Sequence, residues 1–338
     1  MATGKYPTSR HDGSAWTPAD RHRAQQAGEP LAAIGLLSEL RGDWAYLSST
    51  LGFPPHNATA GLRWRCAAKP SDYKDLAGSW RQCRLKEEDF MARQRSLGSE
   101  ICELLTLPGV SPHLASHDWM HAADQGVCAD VIANCSRELL PEFPGASDKE
   151  RCKQLWVRLR QWHQAHGVPH RLPGLTPSTF LSRDSPPKLK ARAACVRHLA
   201  PFIASICAEK WSQGSHHQRT VARLAEAMQA CYACLDAPAP QDLASHCQTF
   251  CELYITLERE QQDRGNYFFW RVKPKLHAFI EICQYGDGNP RATWCYQDES
   301  AGGTFAKIFA PRGGRSNATK HTEVMLHKWM ALTPMPKL

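Results

Sequence analysis

The feature of this sequence that most restricts its fold is a helical periodicity from about residue 98 to residue 260. Apolar side chains recur there three or four positions apart, a spacing that places them on one face of a helix. Examples are Ile101/Leu104/Leu105, Val127/Val131/Ile132 and Leu155/Trp156/Leu159. Helix-breaking residues interrupt the pattern at 141–145, 167–187 and 236–240. The sequence therefore predicts an all-helical block.

The residues on either side of this block have a different character. Residues 1–30 are polar with one large apolar side chain, Trp16, and predict an irregular arm. The apolar stretch 31–40 is compatible with either a buried strand or a short helix. After residue 265 an aromatic run precedes a further predicted helix. We therefore divide the chain into residues 1–97, 98–264 and 265–338.

Composition narrows the possible functions. The net charge of +8 is compatible with a polyanionic partner, because Lys and Arg neutralise phosphates, although many basic proteins bind no nucleic acid. Residues 1–20 lack the apolar segment of a signal peptide, and no apolar run approaches the ~18 residues of a membrane span. We expect an intracellular protein, nuclear if it binds DNA, with no membrane partner. Its fourteen cysteines are then reduced thiols.

Two carboxylates lie at the ends of predicted elements. Asp43 separates the apolar stretch 31–40 from a segment with helical spacing, so it could be held rigidly where an ion or substrate approaches. It could equally cap the helix that follows. Glu299 follows Asp298 at the start of another predicted helix, where the helix dipole favours acidic residues in any protein. Position alone leaves a catalytic and a capping role open for both.

Two further groups have the residue types of a metal site. His117, Asp118 and His121 fall within five residues, and on a helix the two histidines would share a face. A structural hydrogen-bonded cluster explains them equally well, since no glutamate of the zincin type lies between the histidines. A second group has loosely zinc-like spacing, although cysteines in helix interiors usually pack as thiols. Its members are Cys231, Cys234, His246, Cys247 and Cys251.

Several basic residues could contact a phosphate backbone. They lie in three short stretches, of which the last contains two glycines that allow close approach of the main chain. The residues are Lys188, Lys190 and Arg192, then Lys273 and Lys275, then Arg312 and Arg315. A solvated helix face or a surface turn is the alternative interpretation of such stretches.

The order of several motifs resembles that of one protein family. The segment Arg41-Gly-Asp-Trp-Ala-Tyr-Leu-Ser-Ser-Thr-Leu-Gly-Phe-Pro54, followed by Arg63-Trp-Arg-Cys66, resembles the second-aspartate region of CACTA-type and related eukaryotic DNA transposases. Residues 117–127 resemble their Asp-x-Met-His segment with its following Gly-Val. Residues 269–277 and 289–299 are similar to their late lysine–proline–histidine motif and acidic-residue helix.

The resemblance, which spans about residues 7–330, implies a fold and a chemistry. The implied fold is α+β and predominantly helical, a partial ribonuclease-H-like core interrupted by a large all-helical insertion. Such transposases hold two Mg²⁺ or Mn²⁺ ions with three carboxylates for phosphodiester cleavage. Asp43 would be the second carboxylate and Glu299 the third, with Asp12 or Asp118 as the candidates for the remaining member of the trio.

Two departures from the family pattern bear on activity. The first catalytic aspartate normally lies on a strand well upstream, and only 42 residues precede Asp43. Arg63 also stands where the family has the first cysteine of its Cys-x-x-Cys. We therefore expect an N-terminally incomplete or domesticated member of such a family.

Three hypotheses for the function follow. The preferred one is a transposase-derived protein that is catalytically inactive, needs no cofactor and retains binding to DNA. The first alternative is an active Mg²⁺-dependent nuclease or transposase that depends on Asp43 and Glu299. The second alternative is a helical zinc-binding or protein-interaction module that uses Cys231 and Cys234. The sequence leaves the DNA target and the oligomeric state open.

Overall fold

The regular structure of the chain is helical. The computed structural model describes residues 5–300, except residues 11–12, 31–36, 38, 56–57, 83, 99, 101, 108, 183, 239, 287 and 298–299. The α-helices are α1 (Arg21–Gln25), α2 (Trp44–Leu51), α3 (Glu87–Ser96), α4 (Cys128–Leu139), α5 (Asp148–Ala165), α6 (Pro177–Phe180), α7 (Ala193–Trp211), α8 (His216–Cys234), α9 (Leu243–Asp263) and α10 (Lys275–Tyr285). A π-helical segment, Met120–Val127, leads into α4. Short 3-10 helices cover Pro18–Asp20, Pro70–Lys74, Ser79–Gln82, Glu103–Thr106, Pro112–Leu114, Leu140–Glu142 and Pro290–Ala292.

The expected ribonuclease-H-like sheet is wrong for the part of the chain that the structure describes. Strand-like pairing there is limited to isolated bridges that join Lys5 to Pro30, Leu40 to Ala115 and Cys66 to Arg84. The residues between Leu40 and Ala115 instead form short helices and turns, and their apolar side chains lie in a cluster without a ladder of hydrogen bonds. The motif resemblance concerned the order of side chains, and that order does not determine whether the backbone forms strands.

The predicted helical block is confirmed from Met120 to Asp263, whereas its predicted first part is wrong: the described residues between 98 and 119 form only two short 3-10 helices. Its long helices pack in sequence, α7 on α8 and α8 on α9, while α4 and α10 also pack against this group. Ser147 and Ser215 accept hydrogen bonds from backbone N–H groups of the first turns of α5 and α8, which fixes where these helices begin. Among the described helices, none has both the length and the apolar character needed to cross a bilayer.

Residues 40–115 form a smaller apolar cluster beside the helical bundle. Its most buried large side chains are Leu47, Leu51, Phe53, Trp64 and Phe90. Trp64 Nε1 donates a hydrogen bond to the carbonyl of Ala115 at 2.7 Å. Arg65 Nη2 donates to the carbonyl of Tyr285 at 3.0 Å, which connects this cluster to the end of α10. The N-terminal region and α10 are therefore in direct contact.

His217 connects three helices of the bundle. Its Nδ1 lies 2.7 Å from Glu260 Oε2 of α9, and its Nε2 lies 2.9 Å from Glu138 Oε2 of α4. The hydrogen bond with Glu138 is the largest influence, and with the contact to Glu260 it raises the pKa of His217 despite partial burial. The charged imidazolium is thus favoured in the folded protein.

We expect this contact to make the protein less stable as the pH rises. A histidine whose pKa is raised by folding adds stability that is fully present below its unfolded value of about 6.5 and is lost as the pH rises through its folded value. The free energy of unfolding of the wild type minus that of His217→Gln, from urea denaturation, should therefore decrease from pH 6 to pH 9. A difference that is the same at every pH would contradict this assignment.

Candidate metal centre and lysine cluster

Three possible metal ligands meet where the N-terminal region contacts α10. Cys66 Sγ lies 3.2 Å from His277 Nε2, and that nitrogen lies 3.4 Å from Glu281 Oε1. All three residues are buried, and their ligand atoms lie within 4.8 Å of one another. His277 and Glu281 are four positions apart on α10, so they share a face of the helix. In the described part of the chain, no other group of three His, Cys, Asp or Glu side chains is this close.

The three side chains fit a transition-metal ion. Zn–S bonds of ~2.3 Å and Zn–N or Zn–O bonds of ~2.0 Å separate the ligand atoms of a tetrahedral site by about 3.3–3.6 Å. The observed 3.2 Å and 3.4 Å are close to this range, and the third separation, between Cys66 and Glu281, is at most 4.8 Å. Thiolate and imidazole ligands favour Zn²⁺ over Mg²⁺ or Mn²⁺. The site is thus chemically unlike the three-carboxylate site that the resemblance implied.

Charges around the site are tightly coupled. Burial opposes ionisation of Glu281, but the charge of His277 and the hydrogen bond from His117, whose Nε2 lies 2.7 Å from Glu281 Oε2, hold the pKa of Glu281 well below its ordinary value. Burial, reinforced by Glu281, raises the pKa of the Cys66 thiol. Glu281 is therefore ionised, while Cys66 would have to release a proton to bind a metal ion.

Arg63 adds a positive charge next to this cluster. It is fully buried, and its guanidinium lies 4.9 Å from the centre of the Trp44 ring. Nη2 donates a long hydrogen bond of 3.5 Å to the carbonyl of Pro70, while Nε and Nη1 have no hydrogen-bond partner among the described residues. Burial lowers the pKa of Arg63 and the charge of Glu281 opposes that effect. Arg63 thus partly balances the charge of Glu281.

Sequence reasoning noted Cys66 and His277 only as ends of motifs and missed Glu281. The available signal was the helical spacing around residue 277. Leu276, Phe279 and Ile280 predict an apolar helix, and His277 and Glu281 interrupt it at positions that are themselves buried. Ionisable side chains at buried positions of a helix need a partner, and here each has one.

The predicted carboxylates Asp43 and Asp118 both line a cavity of about 180 Å³ together with His121 and Lys275. Asp43 Oδ1 accepts a hydrogen bond of 2.6 Å from the backbone N–H of Tyr46, so it caps α2. Asp118 Oδ2 lies 2.6 Å from His121 Nδ1 and also accepts from the His121 backbone. Its Oδ1 accepts a hydrogen bond from the backbone N–H of Cys295 at 2.8 Å. Both carboxylates thus make structural hydrogen bonds.

The other predicted metal ligands are not brought together within the described residues. His117 contacts Glu281, whereas His121 contacts Asp118, so the two histidines do not converge on one point. The group of Cys231, Cys234, His246, Cys247 and Cys251 contributes no set of three ligand atoms within 4.8 Å. Burial raises the pKa of Cys231 well above its ordinary value. Asp12, Glu299, Arg312 and Arg315 lie outside the described residues.

Two of the predicted basic stretches meet around one buried carboxylate, Asp130 of α4. Lys273 Nζ lies 2.9 Å from Asp130 Oδ1, and Lys275 Nζ donates to the carbonyl of His121 at 2.8 Å. Lys188 lies close enough to influence the pKa of Asp130 and the pKa of Lys275. It is held near α4 because the backbone N–H of the next residue, Leu189, donates to the carbonyl of Ala129. Lys190 and Arg192 continue this stretch as exposed side chains. We call Lys188, Lys273 and Lys275 the lysine cluster.

Positive charge is crowded in the lysine cluster. Burial, followed by the charge of Lys188, lowers the pKa of Lys275 to about 8. Burial raises the pKa of Asp130, and Lys273 is the main group that opposes this rise. One carboxylate therefore faces three ammonium groups, an arrangement that an additional anion would stabilise.

Comparison of the chain with protein-family models, with curated proteins and with solved structures gave no match. Fold and sites together define a helical protein with a buried candidate metal centre and a lysine cluster.

Proposed function

We propose that this chain is a non-catalytic, transposase-derived protein that binds nucleic acid through the phosphate backbone. The observation that carries the proposal is the convergence of Lys188 with Lys273 and Lys275 from distant parts of the sequence. Lysines that approach phosphates release condensed counterions, which gives affinity without base recognition. The transposase origin is supported by the order of the motifs alone.

The environment of the lysine cluster favours an anionic partner. Lys275 has a lowered pKa because burial and neighbouring cations disfavour its charged form. A phosphate beside Lys188 and Lys275 would raise the pKa of Lys275 again, so binding would take up a proton at a pH near or above 8. The adjacent exposed side chains of Lys190 and Arg192 extend the basic surface along the chain.

The non-catalytic part of the proposal is supported by the hydrogen bonds of the candidate carboxylates. Asp43 is committed to capping α2, and Asp118 accepts from His121 and from Cys295. Neither belongs to a group of three ligand atoms within 4.8 Å in the described part of the chain. Two-metal phosphodiester chemistry needs ligands that can hold ions ~3.5–4 Å apart.

The salt dependence of DNA binding tests this function. For wild type and for the double variant Lys188→Gln/Lys275→Gln, the dissociation constant for a short labelled duplex is measured by fluorescence anisotropy between 50 and 300 mM salt. Each lost phosphate contact reduces the slope of log K against log salt by about 0.9, so we expect a reduction of about 2. The wild type should also bind more tightly than the double variant at the lowest salt.

Lys153→Gln is the matched control, because Lys153 is an exposed lysine on α5, away from the cluster. Its slope should equal that of the wild type. Equal slopes for wild type and double variant, or no binding by the wild type at low salt, would reject nucleic-acid binding at this cluster. Mg²⁺-dependent cleavage of the duplex that Asp43→Ala abolishes would reject the non-catalytic part.

A second candidate function is the binding of a structural zinc ion. The specific observation in its favour is the buried set of Cys66, His277 and Glu281, with one ligand from the N-terminal region and two from α10. A metal ion there would fasten the N-terminal cluster to the helical bundle at a point where Arg65 already makes a hydrogen bond. This retains the zinc-binding alternative and moves it away from Cys231 and Cys234.

A further inference from the structure

A pocket of about 270 Å³ lies between α7, α8 and the segment that follows α10. It shares no residue with the lysine cluster or with the candidate metal centre. The lining residues that matter for its chemistry are Arg197 and His198 of α7, Gln229 and Tyr232 of α8, and Asp236, Arg291 and Trp294. The carboxylate of Asp236 is bound by Arg291. Cationic, amide and aromatic groups are therefore gathered at one concave surface, as is common in ligand sites.

Arg197 is held in this pocket by aromatic rings. Its guanidinium lies 4.7 Å from the ring centre of Trp294 and 5.2 Å from that of Tyr296. Within the described residues it forms no hydrogen bond and no ion pair, so its N–H donors remain available to a ligand. Contacts with two rings restrain the guanidinium and reduce the entropy lost when it binds an anion.

The buried carboxylate of Asp124 lies near Arg197 and only partly offsets its charge. Asp124 is buried and accepts hydrogen bonds from Tyr232 at 2.6 Å and Tyr296 at 2.5 Å, so both of its oxygens already have partners. Burial raises the pKa of Asp124 to about 7. Asp124 is thus only partly ionised at neutral pH, and the guanidinium keeps most of its positive potential.

Two further donors lie beside Arg197. His198 and Gln229 form no hydrogen bond with the part of the chain that the structure describes. Burial, followed by the charges of Arg197 and His170, lowers the pKa of His198, so its ring is neutral and offers one N–H. Arg291 lies over Trp294 at 5.4 Å and binds Asp236 at 2.7 Å. Arg197 and Arg291 thus both stack on Trp294.

This set of donors is better matched to phosphate than to carboxylate. A carboxylate presents two oxygens in one plane, which a single guanidinium satisfies. A phosphate presents three terminal oxygens, which Arg197, His198 and Gln229 together could meet. The pocket is also much larger than a phosphate, and Tyr232 and Trp294 provide an aromatic wall for a planar ring.

We propose that this pocket binds a nucleotide, with the phosphate at Arg197, His198 and Gln229 and the ring against the aromatic wall. The nucleotide is either a free mononucleotide or the phosphorylated end of a nucleic acid. The site goes beyond the backbone binding assigned to the lysine cluster and does not depend on it.

Calorimetric titration of the full chain tests the proposal. The probes are adenosine monophosphate, adenosine, inorganic phosphate and a short oligonucleotide with a 5′-phosphate. Adenosine monophosphate should bind more tightly than either adenosine or inorganic phosphate, and Arg197→Ala should weaken its binding at least about tenfold, because a charge-assisted hydrogen bond is lost. Arg197→Lys keeps the charge but not the planar fork of N–H donors. Its affinity for adenosine monophosphate should lie between that of the wild type and that of Arg197→Ala.

Arg223→Ala is the matched control, since Arg223 is an exposed arginine of α8 outside the pocket. Melting curves establish that each variant is folded, and Lys188→Gln/Lys275→Gln should bind adenosine monophosphate as the wild type does. In the Lys188→Gln/Lys275→Gln variant, tighter binding of the oligonucleotide than of adenosine monophosphate, lost on adding Arg197→Ala, would identify the nucleic-acid end as the ligand, and weaker binding the free nucleotide. Undiminished binding by Arg197→Ala, equal affinity for inorganic phosphate, or no binding by the wild type at millimolar concentration would overturn the proposal.

Discussion

Zinc added to the chelator-treated protein should raise its melting temperature by about 5 °C, and Cys66→Ser should abolish this shift. An ion at 100 times its dissociation constant stabilises the folded state by ~2.7 kcal/mol. For chains of 150–250 residues each kcal/mol moves the midpoint by ~2–4 °C, and the lower end applies to a larger protein. Cys66 supplies the only sulfur of the set, so its loss removes the ligand that selects Zn²⁺ over Mg²⁺.

The control for this measurement is Cys234→Ser. Cys234 is half-buried at the end of α8 and is not a member of the metal set, so this variant should keep the full zinc shift. Mg²⁺ at the same concentration should have no effect on any of the proteins. If zinc still raises the melting temperature of Cys66→Ser but not that of Cys234→Ser, the zinc site would be at Cys231 and Cys234, as the sequence alternative predicted.

The zinc shift should also depend on pH. Burial raises the pKa of Cys66, so the thiol must give up its proton when the ion binds. The shift should therefore grow as the pH rises from 6 to 8, whereas the contribution of His217 to stability declines over the same range. A zinc shift of equal size at both pH values would indicate ligands that are already deprotonated.

Local patterns allowed the helices to be predicted, because helix formation depends on residues three or four positions apart. The spacing of apolar residues was enough to predict the bundle. Capping of α2 was one of the two roles predicted for Asp43, and the structure shows this cap. The prediction of a β-sheet was wrong because it did not rest on a local pattern. It was expected from the order of motifs, and nothing in the residues around Asp43 or Cys66 provides the alternating apolar pattern that a strand requires.

The candidate metal centre could not be predicted in this way. Its parts are distant in sequence, with 211 positions between Cys66 and His277. Periodicity places His277 and Glu281 on one face of α10, but it does not say which loop lies against that face. The same limit applies to the lysine cluster, whose two basic stretches were recognised separately and whose shared carboxylate, Asp130, was not.

The second large effect is expected at Trp270, where Trp270→Ala should lower the free energy of unfolding by about 3–5 kcal/mol. Trp270 is fully buried in the segment between α9 and α10. Its Nε1 donates to Glu138 Oε1 at 2.5 Å, and its backbone N–H donates to Asn134 Oδ1 at 3.1 Å. Loss of the ring leaves a cavity and removes one partner of the carboxylate that also holds His217.

The backbone of Trp270 makes the glycine variant the more informative one. Its φ of 56° lies in the left-handed region, which costs a residue with a Cβ about 1–2 kcal/mol and costs glycine nothing. Trp270→Gly and Trp270→Ala both lose the ring, but only alanine keeps the strain. Urea denaturation should therefore find the glycine variant at least as stable as the alanine variant, against the usual order. Trp156→Ala, at a half-buried position of α5, should cost clearly less than either. A glycine variant less stable than the alanine variant would show that the strain at this position is smaller than the extra backbone entropy that glycine loses on folding, about 0.5–1 kcal/mol.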